Sequence, residues 1–210
     1  MIGAYPTGIG KSFQTCHMML NLSISDGRRF IYATEQVKNI SQTRDNLYSI
    51  GETEYRTGRE WLDKHILLLE SNTDSFLHNY EGWMGPIIYE QLKSHGIDPQ
   101  VFQDLLDCFE AYKRATDKDH KEYTLGLFAK AEAAFRRAVH KLLKDFRTPS
   151  ERLEAIRSYK DLSWIEDLFP AVRFDESHIV LMTVKKMYHT IDPIIAAPFE
   201  LWSATDLHTD

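Results

Sequence analysis

A short glycine-containing segment near the start of the sequence constrains the fold of this 210-residue chain more than any other feature. Residues 5–12 read Tyr-Pro-Thr-Gly-Ile-Gly-Lys-Ser, and their second half matches the end of a phosphate-binding loop, G-x-x-x-x-G-K-[ST]. Glycines let such a loop turn tightly and approach a ligand closely, because they have no Cβ. A helix that follows the loop would direct free N–H groups and its positive dipole end toward the same anion. The segment therefore predicts that phosphate is bound by Thr7, Gly8, Ile9, Gly10, Lys11 and Ser12.

Two side chains of this loop have specific expected roles. Lys11 would reach the β- and γ-phosphates of a nucleotide, and the Ser12 hydroxyl would bind Mg²⁺. The first position of the motif holds Tyr5 where glycine is usual, and Gly3 lies too early in the sequence to replace it. A glycine-rich turn that only caps an ordinary helix is the alternative interpretation.

The composition is that of a globular protein. Hydrophobic residues make up 43% of the sequence and charged residues 27%, which is enough apolar material to bury a core. The net charge of −6 attracts neither nucleic acid nor anionic membranes, so any nucleic-acid contact must come from local groups. Cys16 and Cys108 suit a reducing compartment, and we find neither a signal peptide nor an apolar run that could span a bilayer. We therefore expect a cytoplasmic location and no membrane partner.

The order of apolar segments predicts a parallel α/β sheet. A helix over residues 11–22 is followed by a short apolar run at residues 30–34, which predicts a buried strand. The next helix carries an apolar stripe and is expected to end at Gly51. Residues 65–70 then contain a continuous apolar run that is typical of a strand covered on both faces. Strands that alternate with helices indicate a parallel sheet.

The middle of the chain has a different character. Residues 71–170 show mainly helical periodicity, strand character returns at residues 179–184, and a weaker strand candidate lies at residues 199–202. We therefore predict a sheet domain made of residues 1–70 and 171–210, interrupted by a helical insertion; helices that simply cover the sheet are the alternative. One face of the long helix in this insertion is predicted to be a solvated surface of Lys130, Glu132, Arg136 and Lys144.

Nucleotide hydrolysis needs an acidic residue in addition to the loop. This residue lies at the carboxyl end of a neighbouring strand, where it holds Mg²⁺ and positions the attacking water. Glu70 ends an apolar strand at the correct end, and Asp206 follows the weaker strand candidate. Both are candidates for this role.

A second pair of candidate acids lies late in the chain. Asp175 and Glu176 begin a D-E-x-H sequence, and an S-A-T sequence follows at residues 203–205. Both acids precede the strand at residues 179–184, so we expect them at the amino end of that strand, away from a phosphate-binding loop. Residues 171–174 would have to form the supporting strand instead, although this segment is short and contains an arginine.

Three segments together resemble the superfamily-two helicases of the DEAD/DEAH type. Residues 6–12 are similar to motif I, in which P-T-G-x-G-K-[ST] is common. Residues 30–39 resemble motif Ia, a strand that ends in threonine before a turn that touches nucleic acid, and residues 181–186 resemble a later strand-threonine element. The resemblance implies a RecA-like P-loop NTPase fold that binds ATP and Mg²⁺. It also implies contacts to nucleic-acid backbone phosphates from Thr34, Gln36, Lys38, Thr183 and Lys185.

The chain departs from that family in two respects. The family has an acidic box at the carboxyl end of a strand, and it has a second RecA-like domain with arginine fingers, for which this chain has no room. We therefore expect the ATP-binding, amino-terminal part of a longer parent chain, not competent for hydrolysis alone. Two alternatives stay open. One is a small P-loop kinase that uses Glu70, or Asp175 with Glu176, as its acid; the other is a non-catalytic interaction protein with a nucleotide fold.

Overall fold

The computed structural model describes residues 10–188, apart from the side chains of residues 149 and 188. This part of the chain is mostly helical and contains one three-stranded parallel sheet. The strands are β1 (Phe30–Thr34), β2 (Ile66–Leu69) and β3 (Ile179–Thr183). The helices are α1 (Lys11–Asp26), α2 (Val37–Thr53), α3 (Arg59–His65), α4 (Asn72–Asn79), α5 (Met84–Ser94), α6 (Gln100–Arg114), α7 (Lys118–Leu142), α8 (Pro149–Ser158), α9 (Trp164–Leu168) and α10 (Val184–Tyr188). The strand predicted at residues 199–202 lies outside the described residues.

The described residues divide into two compact units. Residues 10–69 and 176–188 form the first, which we call the sheet unit, and residues 70–175 form the second, which we call the helical unit. Sequence periodicity places the corresponding boundaries after residues 70 and 170. The helical unit interrupts the sheet unit between β2 and β3.

The strand β3 lies between the two other strands, although it is the last strand in the described sequence. Thr34 of β1 pairs with Thr183, and Leu69 of β2 pairs with Met182, in parallel register. The side chains of β3 are buried from Ile179 to Met182, as expected for a strand covered on both faces. The three apolar runs in the sequence therefore predict the strands to within one residue at each end.

The helices α1 and α2 cover one face of the sheet with apolar stripes at helical spacing. These stripes pack with residues of α3, β2 and the central strand in one cluster, whose members are Cys16, Met19, Leu20, Ile40, Leu47, Ile50, Leu62, Ile66, Ile179 and Leu181. Gly27, in the left-handed conformation with φ 64°, ends α1 by donating its N–H to the Leu22 carbonyl. The helix therefore continues to Asp26, beyond the predicted end at residue 22.

Gly51 lies inside α2 and does not end it, contrary to the prediction. A Cβ at this position would lie 2.7 Å from Leu62 Cδ2 and 3.2 Å from Leu62 Cδ1. Leu62 belongs to α3 and is fully buried. The glycine is therefore needed because α2 and α3 approach each other closely, which sequence periodicity alone does not indicate.

Two histidines connect the amino ends of the three strands. The His178 N–H donates to the His65 carbonyl at 2.9 Å, and the Phe30 N–H donates to the His178 carbonyl at 2.7 Å. The His65 ring stacks on Trp61 with a centroid distance of 4.3 Å and meets the His178 ring edge-on at 4.5 Å. In the described structure, Nδ1 of His178 is buried without a hydrogen-bond partner. The rings of Trp61, His65 and His178 therefore pack together at the amino ends of the strands.

Aromatic side chains fill the core of the helical unit. The largest fully buried ones are Trp164, Phe76, Phe128 and Phe135. Thr148 begins α8 with a reciprocal cap: its hydroxyl accepts from the Glu151 N–H, and the Glu151 carboxylate accepts from the Thr148 N–H. Within residues 10–188, no helix is both long and apolar enough to cross a membrane.

A buried ion pair lies where the sequence predicts a solvated face of α7. Glu132 and Arg136 are only 2% and 3% exposed, and the guanidinium donates from Nε and from Nη2 to Glu132 Oε1. The same guanidinium lies 5.9 Å from the centre of the Phe169 ring. The prediction is therefore wrong for these two residues, whereas Lys130 and Lys144 are exposed. Charged residues are rarely buried unless paired, so periodicity assigns them to the surface by default.

We expect Gly51→Ala to destabilise the sheet unit by about 1–2 kcal/mol. Overpacking a buried site costs about 1–3 kcal/mol, and the better helix propensity of alanine returns at most about 1 kcal/mol. Gly126→Ala in α7 is the matched control, because nothing lies within 4 Å of a Cβ there. The control should stabilise the protein by about 0.5–1 kcal/mol. Urea unfolding of the wild type and both variants measures the difference, and equal effects would contradict the close approach of Leu62.

The amino edge of the sheet also predicts a pH dependence. Burial lowers the pKa of His178 below its ordinary value of 6.5. The nearby charges of His65, Arg29 and Lys64 lower this pKa further, whereas a hydrogen bond with the Ser23 backbone raises it in part. The unfolded chain therefore takes up a proton at this site more readily than the folded chain. The stability contributed by neutral His178 is complete above the unfolded pKa and is lost as the pH falls through the lower folded pKa.

We expect the wild type to lose more unfolding free energy than His178→Gln between about pH 7.5 and about pH 5.5. Urea unfolding at both pH values measures this loss. His95→Gln, at an exposed position of the helical unit, is the control and should keep the wild-type pH dependence. The same pH dependence in all three proteins would contradict a protonation-sensitive amino edge.

Candidate nucleotide-binding site

The described part of the predicted phosphate loop consists of Gly10, Lys11 and Ser12, at the start of α1. The other predicted loop residues, Thr7, Gly8 and Ile9, lie outside the described residues. Gly10 has φ 57° and ψ 29°, a left-handed conformation that residues with a Cβ rarely adopt. A Cβ on Gly10 would meet nothing within 4 Å, so the backbone angle, not crowding, requires the glycine.

Hydrogen-bond donors at the start of α1 have no partner among the described residues. The first intrahelical bond runs from the Gln14 N–H to the Gly10 carbonyl at 3.0 Å, so the N–H groups of Lys11, Ser12 and Phe13 have no partner within the helix. No side chain within residues 10–188 caps this end. By contrast, Ser71, Asp117 and Thr148 cap the starts of α4, α7 and α8. The free donors of α1 point out of the helix, where an anion can accept them.

The charges on α1 oppose its dipole. Lys11 lies at the positive end, where the first turn contains no acidic residue, and Asp26 lies at the negative end. Arg28 compensates Asp26, because its Nε lies 3.4 Å from Asp26 Oδ2. Lys11 is exposed and has no ion-pair partner among the described residues. An uncompensated cation at this end costs about 0.3–1 kcal/mol, and a bound anion would remove that cost.

Core packing and polar contacts fix the first half of α1. Cys16 is completely buried, and burial raises the pKa of its thiol to about 11. The next residue, His17, makes polar contacts: its Nε2 lies 3.3 Å from Glu54 Oε2, and its carbonyl accepts from the Tyr55 hydroxyl at 3.2 Å. The sequence gives no signal for these last contacts, because Glu54 and Tyr55 follow the end of α2 in a turn without apolar periodicity.

The carboxyl ends of the strands bring together two of the residues predicted to contact nucleic acid. Thr34 and Thr183 are directly paired on β1 and β3. The Thr183 hydroxyl accepts from the Lys186 N–H at 3.0 Å and so caps α10, but it keeps its proton for donation. Gln36 and Lys38 follow Thr34 and are exposed.

Lys185, the fifth predicted nucleic-acid contact, is also exposed, on α10 just after Thr183. The two predicted sets of residues are not joined by polar contacts. Among residues 10–188, no hydrogen bond or ion pair links Lys11 or Ser12 to any of the five predicted nucleic-acid contacts. The residues of the phosphate loop and those at the carboxyl ends of the strands therefore form two sets without a polar contact between them in the described part of the chain.

The candidate acids have different surroundings. Glu70 directly follows β2, and its Oε2 lies 2.7 Å from Nδ1 of His78. Asp175 and Glu176 end a 3₁₀ helix, Pro170–Glu176, which replaces the strand that a D-E-x-H box would require there. Glu176 precedes β3 and so lies on the amino side of the sheet, as its sequence position indicates.

Asp206 lies outside the described residues. Within residues 10–188, no group of three or more His, Cys, Asp or Glu side chains is placed to hold a metal ion. Of the described residues, Ser12 therefore remains the candidate Mg²⁺ ligand, in combination with the phosphates of a nucleotide.

Comparison with known proteins gives no match. A scan against protein-family models matches no family to this chain, and a search of curated proteins finds no similar one. The features of the candidate site are those of its own residues: a left-handed glycine, a lysine and a serine at a helix start that no described side chain caps.

Proposed function

We propose that residues 7–12 bind the triphosphate of ATP together with Mg²⁺. The observation that carries this proposal is the position of Lys11 at the start of α1, where no side chain within residues 10–188 caps the helix or pairs with the ammonium group. An ammonium group, a hydroxyl and several free N–H donors at one helix start are the donor set that phosphate oxygens and Mg²⁺ require. The three parallel strands and the two helices packed on one face are compatible with the P-loop NTPase fold of the RecA-like type, which forms part of the proposal.

Each residue of the site has a defined role in this proposal. The N–H groups of Lys11 and Ser12 donate to phosphate oxygens, and the left-handed Gly10 turns the backbone so that both point toward the ligand. The Lys11 ammonium balances the charge of the β- and γ-phosphates. The Ser12 hydroxyl contributes one ligand to Mg²⁺.

We further propose that the chain is the ATP-binding part of a DEAD/DEAH-type nucleic-acid-dependent ATPase. Thr34 and Thr183 support this, because they are paired at the carboxyl ends of their strands, where the resemblance requires phosphate contacts. Binding without hydrolysis is expected of this chain alone. Glu70 contacts His78 and Glu176 lies on the amino side of the sheet, so neither is well placed to be the hydrolytic acid. In this proposal, that acid and a second RecA-like domain belong to a longer parent chain.

Nucleotide binding is expected to raise the thermal stability of the wild-type protein. A ligand at about 100 times its Kd stabilises the native state by about 2.7 kcal/mol. Thermal unfolding with and without excess Mg-ATP measures this gain, which Lys11→Ala should abolish. Lys130→Ala, at an exposed lysine of α7, is the matched control and should keep the full gain. A wild type whose stability does not change with Mg-ATP would contradict the proposal.

Contacts at the carboxyl ends of the strands are expected to make nucleic-acid binding salt-dependent. Removing two phosphate contacts with Lys38→Gln and Lys185→Gln should reduce the slope of log K against log salt by about 1.4 for a single strand. Fluorescence anisotropy with a labelled single-stranded oligonucleotide measures the slope. Lys64→Gln with Lys93→Gln removes two exposed charges elsewhere and should leave the slope unchanged. Equal slopes for the two double variants would argue against phosphate contacts at these strand ends.

A further inference from the structure

The exposed side of α7 carries a line of positively charged side chains. Arg137, Lys141 and Lys144 lie 7, 11 and 14 residues after Lys130. All four side chains are exposed. At about 3.6 residues per turn, these positions fall on one narrow face of the helix. Lys144 lies just beyond the end of α7, where the Lys144 N–H bonds to the Lys141 carbonyl and continues the turn. We call these four residues the α7 cationic stripe.

The charges of the α7 cationic stripe are not neutralised by the described residues. None of the four has an ion-pair partner within residues 10–188. The one carboxylate inside this part of α7 is Glu132, which is buried against Arg136 and faces away from the stripe. Between the cations, the helix carries the short, half-buried side chains of Ala133 and Ala134.

Neighbouring groups add to the positive potential. Burial lowers the pKa of His140, and the charge of the nearby Arg152 lowers it further. Arg147 is exposed just after the stripe. The overall charge of −6 would not attract a polyanion, so this local concentration of cations is the feature that could.

An exposed aromatic side chain continues the same face. Tyr123 lies seven residues before Lys130, at the same angular position on the helix, and is 66% exposed. An exposed tyrosine in line with cations is the combination by which proteins bind single-stranded nucleic acid: the cations contact the backbone and the ring stacks on a base.

We propose that the α7 cationic stripe binds the phosphodiester backbone of a single-stranded nucleic acid, with Tyr123 stacking on a base. Lys130 and Lys144 are about 21 Å apart along the helix, so the stripe can contact several successive phosphates. An anionic membrane is a poorer fit, because membrane binding by a helix requires a free apolar face. The apolar face of α7 is instead buried in the core, where Phe128, Phe135 and Val139 are all 0% exposed.

This inference shares its kind of partner with the proposed function but depends on different residues. The stripe belongs to the helical unit, whereas Lys11, Lys38 and Lys185 belong to the sheet unit. Binding by the stripe needs no nucleotide. Measurements without ATP therefore test the stripe even if Lys11 binds no phosphate, and the variants Lys38→Gln and Lys185→Gln report on the strand ends separately.

The test compares two variants of the full chain that lose the same charge. In the stripe variant, Lys130, Arg137, Lys141 and Lys144 are all replaced by glutamine. In the control variant, four exposed lysines away from the stripe, Lys64, Lys93, Lys118 and Lys160, are replaced by glutamine. Binding of a fluorescein-labelled oligouridine of about 20 nucleotides is measured by anisotropy between about 50 and about 200 mM NaCl. Thermal unfolding of each variant verifies that the surface changes leave the fold intact.

We expect the affinity of the wild type to fall about 50-fold across this salt range if four phosphates are contacted, because each contributes about 0.7 to the slope. The stripe variant should bind at least about tenfold more weakly than the control variant at about 0.1 M NaCl and should have a slope lower by about 3. Equal affinities and slopes for the two variants would overturn the proposal. So would binding of the wild type to phosphatidylserine vesicles with no binding to the oligonucleotide.

The tyrosine is tested with a separate variant. Tyr123→Ala should weaken binding of the oligouridine about fivefold or more, because stacking on one base is lost, and should leave the salt slope unchanged. Binding to a DNA duplex, whose bases are already stacked, should not change. Unaltered binding of the oligouridine by this variant would overturn the stacking contact.

Discussion

The sheet depends on β3, because this strand forms hydrogen bonds with both β1 and β2 while neither of these pairs with the other. The contact between the Arg29 side chain and the Ser177 carbonyl spans 148 residues of sequence, and the residues that pair between β1 and β3, such as Thr34 and Thr183, lie even slightly farther apart in sequence. Closing so long a segment has an entropic cost that rises slowly with its length. The helical unit lies between β2 and β3 in the sequence and has its own aromatic core. If this unit is already ordered, a shorter flexible segment has to be closed when β3 pairs with β1 and β2.

The core of the sheet unit makes an unfavourable helix start tolerable. Lys11 opposes the dipole of α1, at a cost of about 0.3–1 kcal/mol, whereas burying a methionine or leucine side chain such as Met19 or Leu20 contributes about 1.5–3 kcal/mol each. Burial therefore outweighs the unfavourable charge of Lys11, and α1 forms although no side chain within residues 10–188 caps its start or pairs with Lys11. A helix start that is held by its core and not by its own charges can leave its donors free for a ligand.

Sequence patterns predicted the parts of the fold that depend on local spacing. The apolar runs located all three strands of the described sheet. The order of the strands was not predictable, because β3 pairs with partners distant in sequence. The ion pair of Glu132 with Arg136 was misassigned to the surface, since burial of charged residues depends on packing against elements from elsewhere in the chain. In the candidate site, the residue types at the helix start came from the motif. The absence of a capping side chain among the described residues and the uncompensated charge became visible only in three dimensions.

The burial of Cys16 gives the sheet unit a built-in chemical reporter. Its thiol is 0% exposed and its pKa is raised to about 11, so the reactive thiolate is both scarce and inaccessible while the unit is closed. A thiol-specific reagent can modify this residue only when α1 separates from α2 and the sheet. Cys108, the other cysteine, lies partly exposed in the helical unit, where burial together with Asp104 and Asp107 also raises its pKa. With Cys108 replaced by serine, the rate of alkylation at Cys16 measures how often the core that supports the start of α1 opens.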